Sequence, residues 1–442
     1  MDDFALPAPV RELCLELHKA GFGAWIVGGC VRDRLLGRPL SDWDVATSAT
    51  PQQVQKTFRR VIPTGIEHGT VTVLLQGMSL EVTTLRSEGP YTDGRRPDRV
   101  DFHGDIEADL ARRDFTINAI AYEPLAARLI DPFGGVGDLR ARCIRAVGDP
   151  RARFQEDGLR VVRALRFAAV LDFAIDPDTR EAIPSALQTL QRVSGERIRV
   201  ELFKAILAPK PSLAFAPMRD LGLLPLLLRP MEVFLRASAL DPDAVWQRSM
   251  ARIDALEAGA CDRWAALLWD VAALSETEAR PRPALLEEWM RALRFSNQEK
   301  NEVQALLAAR AHALPRAGEV VALRRWMRAV GKVYAERVLA LWQAEAQARA
   351  DAEAPAELTS LQREVEGIVS RNEALETRDL ALGGRELMTA LGMAAGPEIG
   401  RMLERLLDAV IARPELNRAE SLLALAREGR EGKDSDHTSE LC

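Results

Sequence analysis

The 442-residue sequence has few of the residues that build disulfides, zinc sites or redox couples. Its five cysteines are odd in number and scattered, and none of them forms a C-x-x-C pair. We therefore expect a reducing, cytoplasmic compartment. The first residues, MDDFALPAPV, lack both a basic region and an apolar stretch, and the most apolar later run is broken by Pro and Arg. We therefore expect neither a signal peptide nor a membrane-spanning helix.

An overall surplus of basic residues is also missing, since the formal net charge is −6. This balance argues against a uniformly basic nucleic-acid binder. The charge is unevenly distributed, however, because residues 140–170 hold eight arginines against three acids. That segment is the first candidate for contact with a polyanion.

Hydrophobic periodicity divides the chain into a mixed first part and a helical remainder. The apolar run AWIV ends at Val27 and precedes Gly28-Gly29 and the helix-like CVRDRLL, which predicts a strand, a glycine turn and a helix. TVTVLL and LEVTTL are rich in β-branched residues and predict a hairpin. From about residue 150 onward, Ala, Leu, Arg and Glu recur with helical spacing, which predicts an almost entirely helical remainder.

Two features between residues 28 and 45 point to phosphate and metal chemistry. Gly28 and Gly29 would let backbone N–H groups approach a triphosphate, with Arg32 one helical turn further on; an ordinary tight turn is the alternative. Asp42 and Asp44 have i, i+2 spacing, which places both carboxylates on one face of a strand, where they could share divalent cations. A solvated strand end is the alternative for this pair.

The motif G-G-x-V-R-D followed by D-x-D-V-A-T resembles the catalytic head of the DNA polymerase beta-like nucleotidyltransferases. Within that superfamily it is similar to class II tRNA nucleotidyltransferases and bacterial poly(A) polymerases. Further motifs follow in the family's order: RRDFTINA (112–119), DPFGG (131–135), EDGLRVVRALRFAA (156–169) and SGERI (194–198). The resemblance covers about residues 23–203. A match of five motifs in the family's own order is highly specific to that family.

The resemblance implies roles for several further residues. Enzymes of this superfamily often use a third catalytic carboxylate, and Glu81 on the predicted hairpin is the candidate; a charge that protects an edge strand is the alternative. Arg113 and Asp114 precede a stretch that we expect to be helical, and the resemblance places them against the phosphate or sugar of a nucleotide. Asp114 would accept a hydrogen bond from a ribose 2′-hydroxyl, or else cap a helix.

Asp157 and Arg160 lie in the segment that resembles the family's base-reading helix. At i, i+3 on a helix they could present one acceptor and one donor to a planar base. Cytosine and adenine share an amino donor beside a ring-nitrogen acceptor, whereas uracil and guanine have the opposite polarity. The pair would therefore accept C and A. Arg163 and Arg166 continue at three-residue steps and, by resemblance, extend the nucleotide-binding surface; a solvated helix face is the alternative.

The resemblance implies an α+β fold, with a small polymerase-beta-like nucleotidyltransferase head of mixed sheet and helices followed by an all-helical neck, body and tail. We expect the head at 1–140, the neck for nucleotide-base recognition at 141–205, the body and tail for tRNA binding at 206–430, and a disordered tail at 431–442.

The implied activity is the template-independent addition of CCA to the 3′ end of tRNA from CTP and ATP, with two Mg²⁺ ions held by Asp42 and Asp44. Binding of the acceptor and T arms of tRNA is implied, and no obligate protein partner is evident. An A-adding tRNA nucleotidyltransferase, a poly(A) polymerase and a catalytically silent RNA-binding protein are the alternatives. The segment 63–75 and the loop 87–102 resemble those of full CCA enzymes, and we expect the loop 87–97 to move during catalysis.

Overall fold

The computed structural model describes residues 4, 6–40, 42–88, 100–101, 105–273, 282–351 and 353–438. Most of the loop 87–97, which we expect to move, therefore lies outside the described residues, since these omit residues 89–97 of it. The chain divides into two compact units. Unit 1 comprises Met1–Arg229 with Arg291–Arg294, and unit 2 comprises Pro230–Met290 with Phe295–Cys442.

A mixed seven-stranded sheet, in the order β3-β4-β5-β2-β1-β8-β9, forms the first part of unit 1. Two short pairs, β6 with β7 and β10 with β11, lie outside it. The strands are β1 (Ala24–Val27), β2 (Asp44–Thr47), β3 (Val61–Gly65), β4 (Thr70–Leu75), β5 (Met78–Thr84), β6 (Ser87–Glu88), β7 (Val100–Asp101), β8 (Ala121–Glu123), β9 (Arg128–Ile130), β10 (Cys143–Ile144) and β11 (Ala174–Ile175).

The strands follow the local sequence signals closely. Strands β4 and β5 form the predicted hairpin, joined by Gln76 and Gly77. Both turn residues have positive φ, 47° and 80°, as a tight two-residue hairpin turn requires. Strand β2 pairs in parallel with β5 and antiparallel with β1, so its four residues lie in the centre of the sheet. Apolar side chains of the sheet, among them Val27 and Ala46, pack with Leu110 into a buried core.

Some helices of unit 1 begin at a residue whose side chain caps the first turn. The side chain of Thr50 accepts from the backbone N–H of Gln53, and Pro51 occupies the first turn of the helix, as the sequence predicts. The helices of unit 1 are α1 (Ala8–Lys19), α2 (Gly29–Leu35), α3 (Pro51–Thr57), α4 (Ile106–Ala111), α5 (Gly135–Ala141), α6 (Pro150–Glu156), α7 (Leu159–Leu171), α8 (Pro177–Ala182), α9 (Leu187–Gln191), α10 (Gly195–Ile206), α11 (Ser212–Phe215), α12 (Pro217–Asp220) and α13 (Leu224–Leu227).

Two predictions about local structure in unit 1 are wrong. The stretch after Asp114 is a single 3-10 turn, Thr116–Asn118, followed by strand β8 instead of a helix. Pairing of β8 with β1 and β9 overrides the local preference for helix. Residue Asp42 lies before β2, because the pairing of β2 begins only at Asp44. Asp42 and Asp44 therefore do not share one strand.

Unit 2 is helical and is organised around a buried charge cluster. Arg252 has no exposed surface and contacts the carboxylates of Asp270, at 2.7 Å, and Glu345, at 2.6 Å. Its helices, with α14 and α17 crossing the boundary to unit 1, are α14 (Arg229–Ala237), α15 (Pro242–Ala255), α16 (Ala260–Leu267), α17 (Arg282–Ala292), α18 (Asn297–Ala309), α19 (Val320–Val330), α20 (Ala335–Ala348), α21 (Ala354–Ser370), α22 (Gly384–Leu391), α23 (Pro397–Ala412) and α24 (Ala419–Thr438).

The last helix differs from the sequence-based expectation of a disordered tail at 431–442. Helix α24 continues as far as Thr438. No helix among the described parts of the chain is both long and apolar enough to span a membrane.

Candidate active site

A cavity of about 590 Å³ opens in unit 1. It brings together residues of the glycine turn, strands β2 and β5, the turn after α4, helix α7 and the start of α10. Eight arginines line the cavity against four carboxylates, so its wall is strongly basic although the chain as a whole is acidic. A polyanionic ligand such as a triphosphate fits this charge. The arginines are Arg32, Arg86, Arg112, Arg113, Arg160, Arg163, Arg166 and Arg197.

Asp44 and Glu81 occupy directly paired positions on the adjacent strands β2 and β5. Both side chains line the cavity, whereas Asp42 is exposed just ahead of β2. Because β5 is an inner strand of the sheet, protection of a sheet edge does not explain Glu81. The structure therefore brings the suggested third carboxylate beside Asp44.

The electrostatics of Asp44 fit a site for hard divalent cations. Burial, the charge of Glu81 and the charge of Asp42 raise the pKa of Asp44, and Arg113 partly offsets them. No group of three or more His, Cys, Asp or Glu side chains within the described residues has the spacing of a ready metal site. Mg²⁺, however, is commonly bound by one or two carboxylates together with substrate phosphates and water. The carboxyl groups of Asp42 and Asp44, with Glu81 beside them, could supply such ligands.

The glycine turn lets the chain pass close to the charged groups of the site. Gly28 has a φ of 74°, and a Cβ added there would lie 2.9 Å from Nη1 of Arg113 and 3.8 Å from Oδ2 of Asp44. Any larger residue would therefore be both strained and crowded. Gly29 begins α2 at the cavity wall.

Arg32 is held against the cavity by two partners. Its Nε and Nη2 donate to the carboxylate of Asp33 at 2.9 and 2.8 Å, and its Nη1 donates to Oδ1 of Asn118 at 2.7 Å. Only 9% of Arg32 is exposed. Its guanidinium is thus fixed in orientation before any ligand binds.

Arg112 and Arg113 are fixed by a residue that the sequence did not single out. The buried carboxylate of Asp109 accepts from Nη2 of Arg112 at 2.6 Å and from Nη2 of Arg113 at 3.0 Å. Burial by itself would raise the pKa of Asp109, but the two guanidinium groups outweigh it and lower the pKa. Asp109 therefore remains ionised and holds both arginines at the cavity wall.

Asp114 is buried, and both of its oxygens accept hydrogen bonds. Oδ1 accepts from the backbone N–H of Phe115 at 2.8 Å and from Nδ2 of Asn118 at 3.0 Å, while Oδ2 accepts from Nε of Arg163 at 2.7 Å. Burial raises the pKa of Asp114, but Arg163 and the hydrogen bonds prevail and bring it to about 2. Asp114 is consequently a charged acceptor on the wall of the cavity.

Asp157 and Arg160 both line the cavity, but not as adjacent residues of one helix. Asp157 follows α6 in an extended conformation, and α7 begins two residues later at Leu159. The prediction that the pair lies on one helical face is therefore wrong. The break lies at Asp157, whose backbone is extended with a φ of −148° and a ψ of 107°, whereas Gly158 already has a helical conformation.

Each member of this pair has its own ionic partner. Asp157 accepts from Nη2 of Arg197 at 2.7 Å and from the backbone N–H of Leu159 at 3.0 Å. Arg160 donates to the carboxylate of Glu156 and to the backbone oxygen of Arg112 at 3.2 Å. The carboxylate of Asp157 and the guanidinium of Arg160 thus line the same cavity, and each is held in place by different partners.

Arg163 and Arg166 lie on the cavity side of α7, with the ring of Phe167 beside them. Their guanidinium carbons are 5.4 and 3.8 Å from the centre of that ring. Both arginines also pair with Glu201 on α10, which is 5% exposed. These contacts exclude a fully solvated helix face for the arginine series.

The structure adds site residues that sequence reasoning missed. Asn118 and Arg197 lie within the RRDFTINA and SGERI motifs, so the motifs contained a signal for both. Asp109 lies three and four residues before Arg112 and Arg113, a helical spacing that could have indicated these ion pairs. Glu201 has no such local signal, because its partners Arg163 and Arg166 are distant along the chain and meet it only in the folded protein.

Comparisons with known proteins agree with this geometry. The family model of the poly A polymerase head domain matches residues 24–145, a poly(A) polymerase RNA-binding domain matches 172–235, and domain 2 of tRNA nucleotidyltransferase matches 261–426. A CCA-adding enzyme of Limosilactobacillus fermentum is 36% identical over 431 residues, which cover 96% of this chain and 98% of that protein.

A second curated relative and a solved structure extend the likeness over the whole chain. The CCA-adding enzyme of Lactiplantibacillus plantarum is 34% identical over 432 residues, covering 96% of both proteins. The crystal structure of the Bacillus stearothermophilus CCA-adding enzyme in complex with CTP matches with a TM-score of 0.78 and 30% identity, covering 98% of this chain and 100% of that one. With these relatives and this arginine-lined cavity, the chain belongs to the CCA-adding enzymes of the tRNA nucleotidyltransferase and poly(A) polymerase family.

Proposed function

We propose that this protein adds C, C and A to the 3′ end of tRNA without a template, using CTP and ATP and releasing pyrophosphate. The observation that carries the proposal is the single cavity in which Asp44, Glu81, Asp157 and Arg160 meet. It places carboxylates suited to nucleotidyl transfer together with a separate acceptor and donor for a base. The full-length likeness to CCA-adding enzymes supports this reading over an A-adding enzyme or a poly(A) polymerase.

In this proposal Asp42 and Asp44 hold two Mg²⁺ ions, and Glu81 is the third catalytic carboxylate beside Asp44. When bound, these ions supply Lewis acidity for the attacking 3′-hydroxyl and for the leaving pyrophosphate. Glu81 belongs to this carboxylate group because it is paired directly with Asp44 on the neighbouring strand. Retention of all three carboxylates argues against a catalytically silent RNA-binding protein.

The glycine turn and two fixed arginines receive the triphosphate in this proposal. Gly28 and Gly29 leave space above Asp44, and Arg32 and Arg113 face that space with donors oriented by other side chains. Arginine donors bind phosphate oxygens in bidentate fashion and therefore fix orientation as well as charge. The phosphorus to be attacked would then lie beside the carboxylates.

Asp114 contacts the sugar, and Asp157 with Arg160 reads the base. Asp114 accepts from the ribose 2′-hydroxyl, and the neighbouring Arg163 and Arg166 complete the wall of the nucleotide pocket. Asp157 accepts from the exocyclic amino group of C or A, while Arg160 donates to the adjacent ring nitrogen. U and G would set a carbonyl oxygen against the carboxylate of Asp157 and a ring N–H against the guanidinium of Arg160, so that acceptor faces acceptor and donor faces donor, which is costly in a cavity.

The remaining parts of the proposal concern the helical regions and the compartment. Residues 1–140 act as head and 141–205 as neck, and 206–430 bind the acceptor and T arms of tRNA. A cytoplasmic location accords with four cysteines, Cys14, Cys30, Cys143 and Cys261, that are free thiols.

One assay tests the proposed activity. Purified protein is offered tRNAs that end before the first C, after CC and after CCA, with each labelled NTP supplied separately. We expect C on the first substrate, A on the second and no extension of the third. Extension of the complete tRNA by repeated A would identify a poly(A) polymerase, and use of the CC substrate alone would identify an A-adding enzyme.

A further inference from the structure

Side chains from four segments of unit 1 form one continuous polar chain along the cavity. It links α2, the turn Thr116–Asn118, helix α7 and helix α10. Arg32 donates to Asn118, Asn118 donates to Asp114, Arg163 donates to both Asp114 and Glu201, and Arg166 donates to Glu201. We call this set the polar chain: Arg32, Asn118, Asp114, Arg163, Glu201 and Arg166.

Asn118 joins the phosphate side of the polar chain to its sugar side. Its Oδ1 accepts from Nη1 of Arg32 at 2.7 Å, and its Nδ2 donates to Oδ1 of Asp114 at 3.0 Å. An amide can accept and donate at once, whereas a carboxylate in its place would face Asp114 without a proton to donate. The residue is 6% exposed, so water cannot readily replace either hydrogen bond.

Glu201 holds the opposite end of the polar chain. It accepts from Nη1 of Arg163 at 3.4 Å and from Nε of Arg166, two residues that are neighbours on α7. Glu201 thus ties α7 to α10 at the point where both arginines enter the cavity wall. Its carboxylate also balances charge, because Arg163 lies between Asp114 and Glu201.

The ring of Phe167 lies among the arginines of the polar chain. The guanidinium carbons of Arg32, Arg163 and Arg166 are 5.1, 5.4 and 3.8 Å from the ring centre. The ring restricts water around these groups, which strengthens the ionic contacts and limits alternative side-chain positions. One aromatic ring therefore contacts three arginines of the polar chain.

We infer that Asn118 and Glu201 are positioning residues for nucleotide addition: together they hold the sugar contact Asp114 and the base-reading helix α7 in a single arrangement. Neither residue needs to touch the reacting atoms. The inference rests on the proposed function, since it assigns Asp114 to the sugar and α7 to the base. It concerns how these contacts are coupled, which the proposed function leaves open.

The test compares Asn118→Asp, Glu201→Gln and the double variant with the wild-type enzyme, using Glu181→Gln as the control. Glu181 is exposed on α8, away from the polar chain. Steady-state kinetics are measured with CTP and with 2′-deoxy-CTP on tRNA lacking CCA. We expect each single variant to raise the KM for CTP by roughly ten- to a hundredfold, with a smaller change in kcat, and to reduce the preference for CTP over 2′-deoxy-CTP.

The double variant distinguishes a connected chain from two unrelated contacts. We expect its loss of kcat/KM to be smaller than the product of the two single losses, because either change already breaks the same chain. Glu201→Asp keeps the charge and should recover part of the KM that Glu201→Gln loses. If the loss of kcat/KM in the double variant equals the product of the two single losses, the two contacts are independent and the coupling is overturned.

A purely structural role predicts a different pattern. It would lower the fraction of active enzyme, and hence the apparent kcat, while leaving the KM and the sugar preference at the wild-type values; that result overturns the inference. CTP binding measured by calorimetry with Mg²⁺ separates this question from the proposed activity. If wild-type protein binds CTP but adds no nucleotide, the proposed function fails, and an unchanged Kd in Asn118→Asp then overturns the inference as well.

Discussion

Asp44 carries the clearest prediction at the scale of single residues. Asp44→Asn removes one negative charge from the carboxylate group beside Glu81 while keeping the size of the side chain. We expect nucleotide addition to fall by about a thousandfold or more, since metal activation contributes several kcal/mol to such reactions. We expect Asp42→Asn to lower nucleotide addition to a similar extent.

Gel-shift binding of tRNA and single-nucleotide extension are measured for the same preparations. Asp178→Asn, an exposed change on α8, serves as the control and should keep wild-type activity. Near-normal Mg²⁺-dependent turnover in Asp44→Asn would contradict the assignment of the metal ligands.

Arg163 gives a prediction about stability and its dependence on pH. The pKa of Asp114 is held at about 2 in the folded protein, below its ordinary value, so this carboxylate stabilises the fold above about pH 4 and loses that contribution as the pH falls toward 2. Arg163→Met removes the principal group that lowers this pKa. We expect a loss of about 2 kcal/mol at pH 7 and a smaller loss near pH 3.

Urea unfolding at both pH values measures this difference. Arg180→Met, which removes a half-exposed arginine 4.0 Å from Asp220, should change the free energy of unfolding by less than about 0.5 kcal/mol. A deficit in Arg163→Met that is independent of pH would contradict the electrostatic explanation and favour lost packing against Phe167.

At the scale of secondary-structure elements, the start of α7 depends on a close backbone approach. A Cβ on Gly158 would lie 2.4 Å from the backbone nitrogen and 2.6 Å from the Cα of Leu190, and backbone atoms cannot move aside as side-chain ends can. Gly158→Ala should therefore displace α7 from α9, at a cost of about 1–3 kcal/mol. Because Asp157 and Arg160 flank this position, incorporation of U or G should rise relative to C and A.

Gly137→Ala is the matched control for this change. Gly137 lies within α5, and an added Cβ there would have no neighbour within 4 Å. Alanine is also the better helix former, so this variant should be neutral or more stable by about 0.5–1 kcal/mol. Thermal unfolding and misincorporation assays on both variants make the comparison. If Gly158→Ala keeps the wild-type stability and nucleotide choice, the prediction is wrong and the added methyl group does not displace α7.

At the scale of the whole molecule, the division into two units predicts that they respond separately to mutation. Arg252 is fully buried in unit 2, and Arg252→Met leaves Asp270 and Glu345 without their shared cation. Breaking a buried ionic cluster of this kind costs about 3–5 kcal/mol. CTP binding should be unaffected below the new unfolding temperature, because every residue that lines the nucleotide cavity belongs to unit 1.

Tryptophan fluorescence is a suitable measurement, since six of the eight tryptophans lie in unit 2. We expect the fluorescence transition of Arg252→Met to shift to lower temperature, while calorimetric titration gives the wild-type Kd for CTP. A parallel loss of CTP affinity would show that the nucleotide site depends on the integrity of unit 2.

The sequence by itself determined the identity of the head and the main chemical groups of its site. The glycine turn after β1, the hairpin of β4 and β5 and the capped helix α3 depend on local backbone preferences, which neighbouring residues express directly. The ordered motifs also indicated the family, and the comparisons confirm it. The roles of the individual site residues stay predictions.

Only the tertiary structure decided which groups meet. Asp44 lies beside Glu81 because β2 and β5 pair in parallel, and local periodicity contains no information on that pairing. The 3-10 turn after Asp114 was likewise set by the pairing of β8 with β1, and only the folded chain brings Gly158, at the start of α7, close to the backbone of Leu190. Glu201 contacts Arg163 and Arg166 of the cavity wall although 38 and 35 residues separate them along the chain, so its position follows from the packing of α10 against α7.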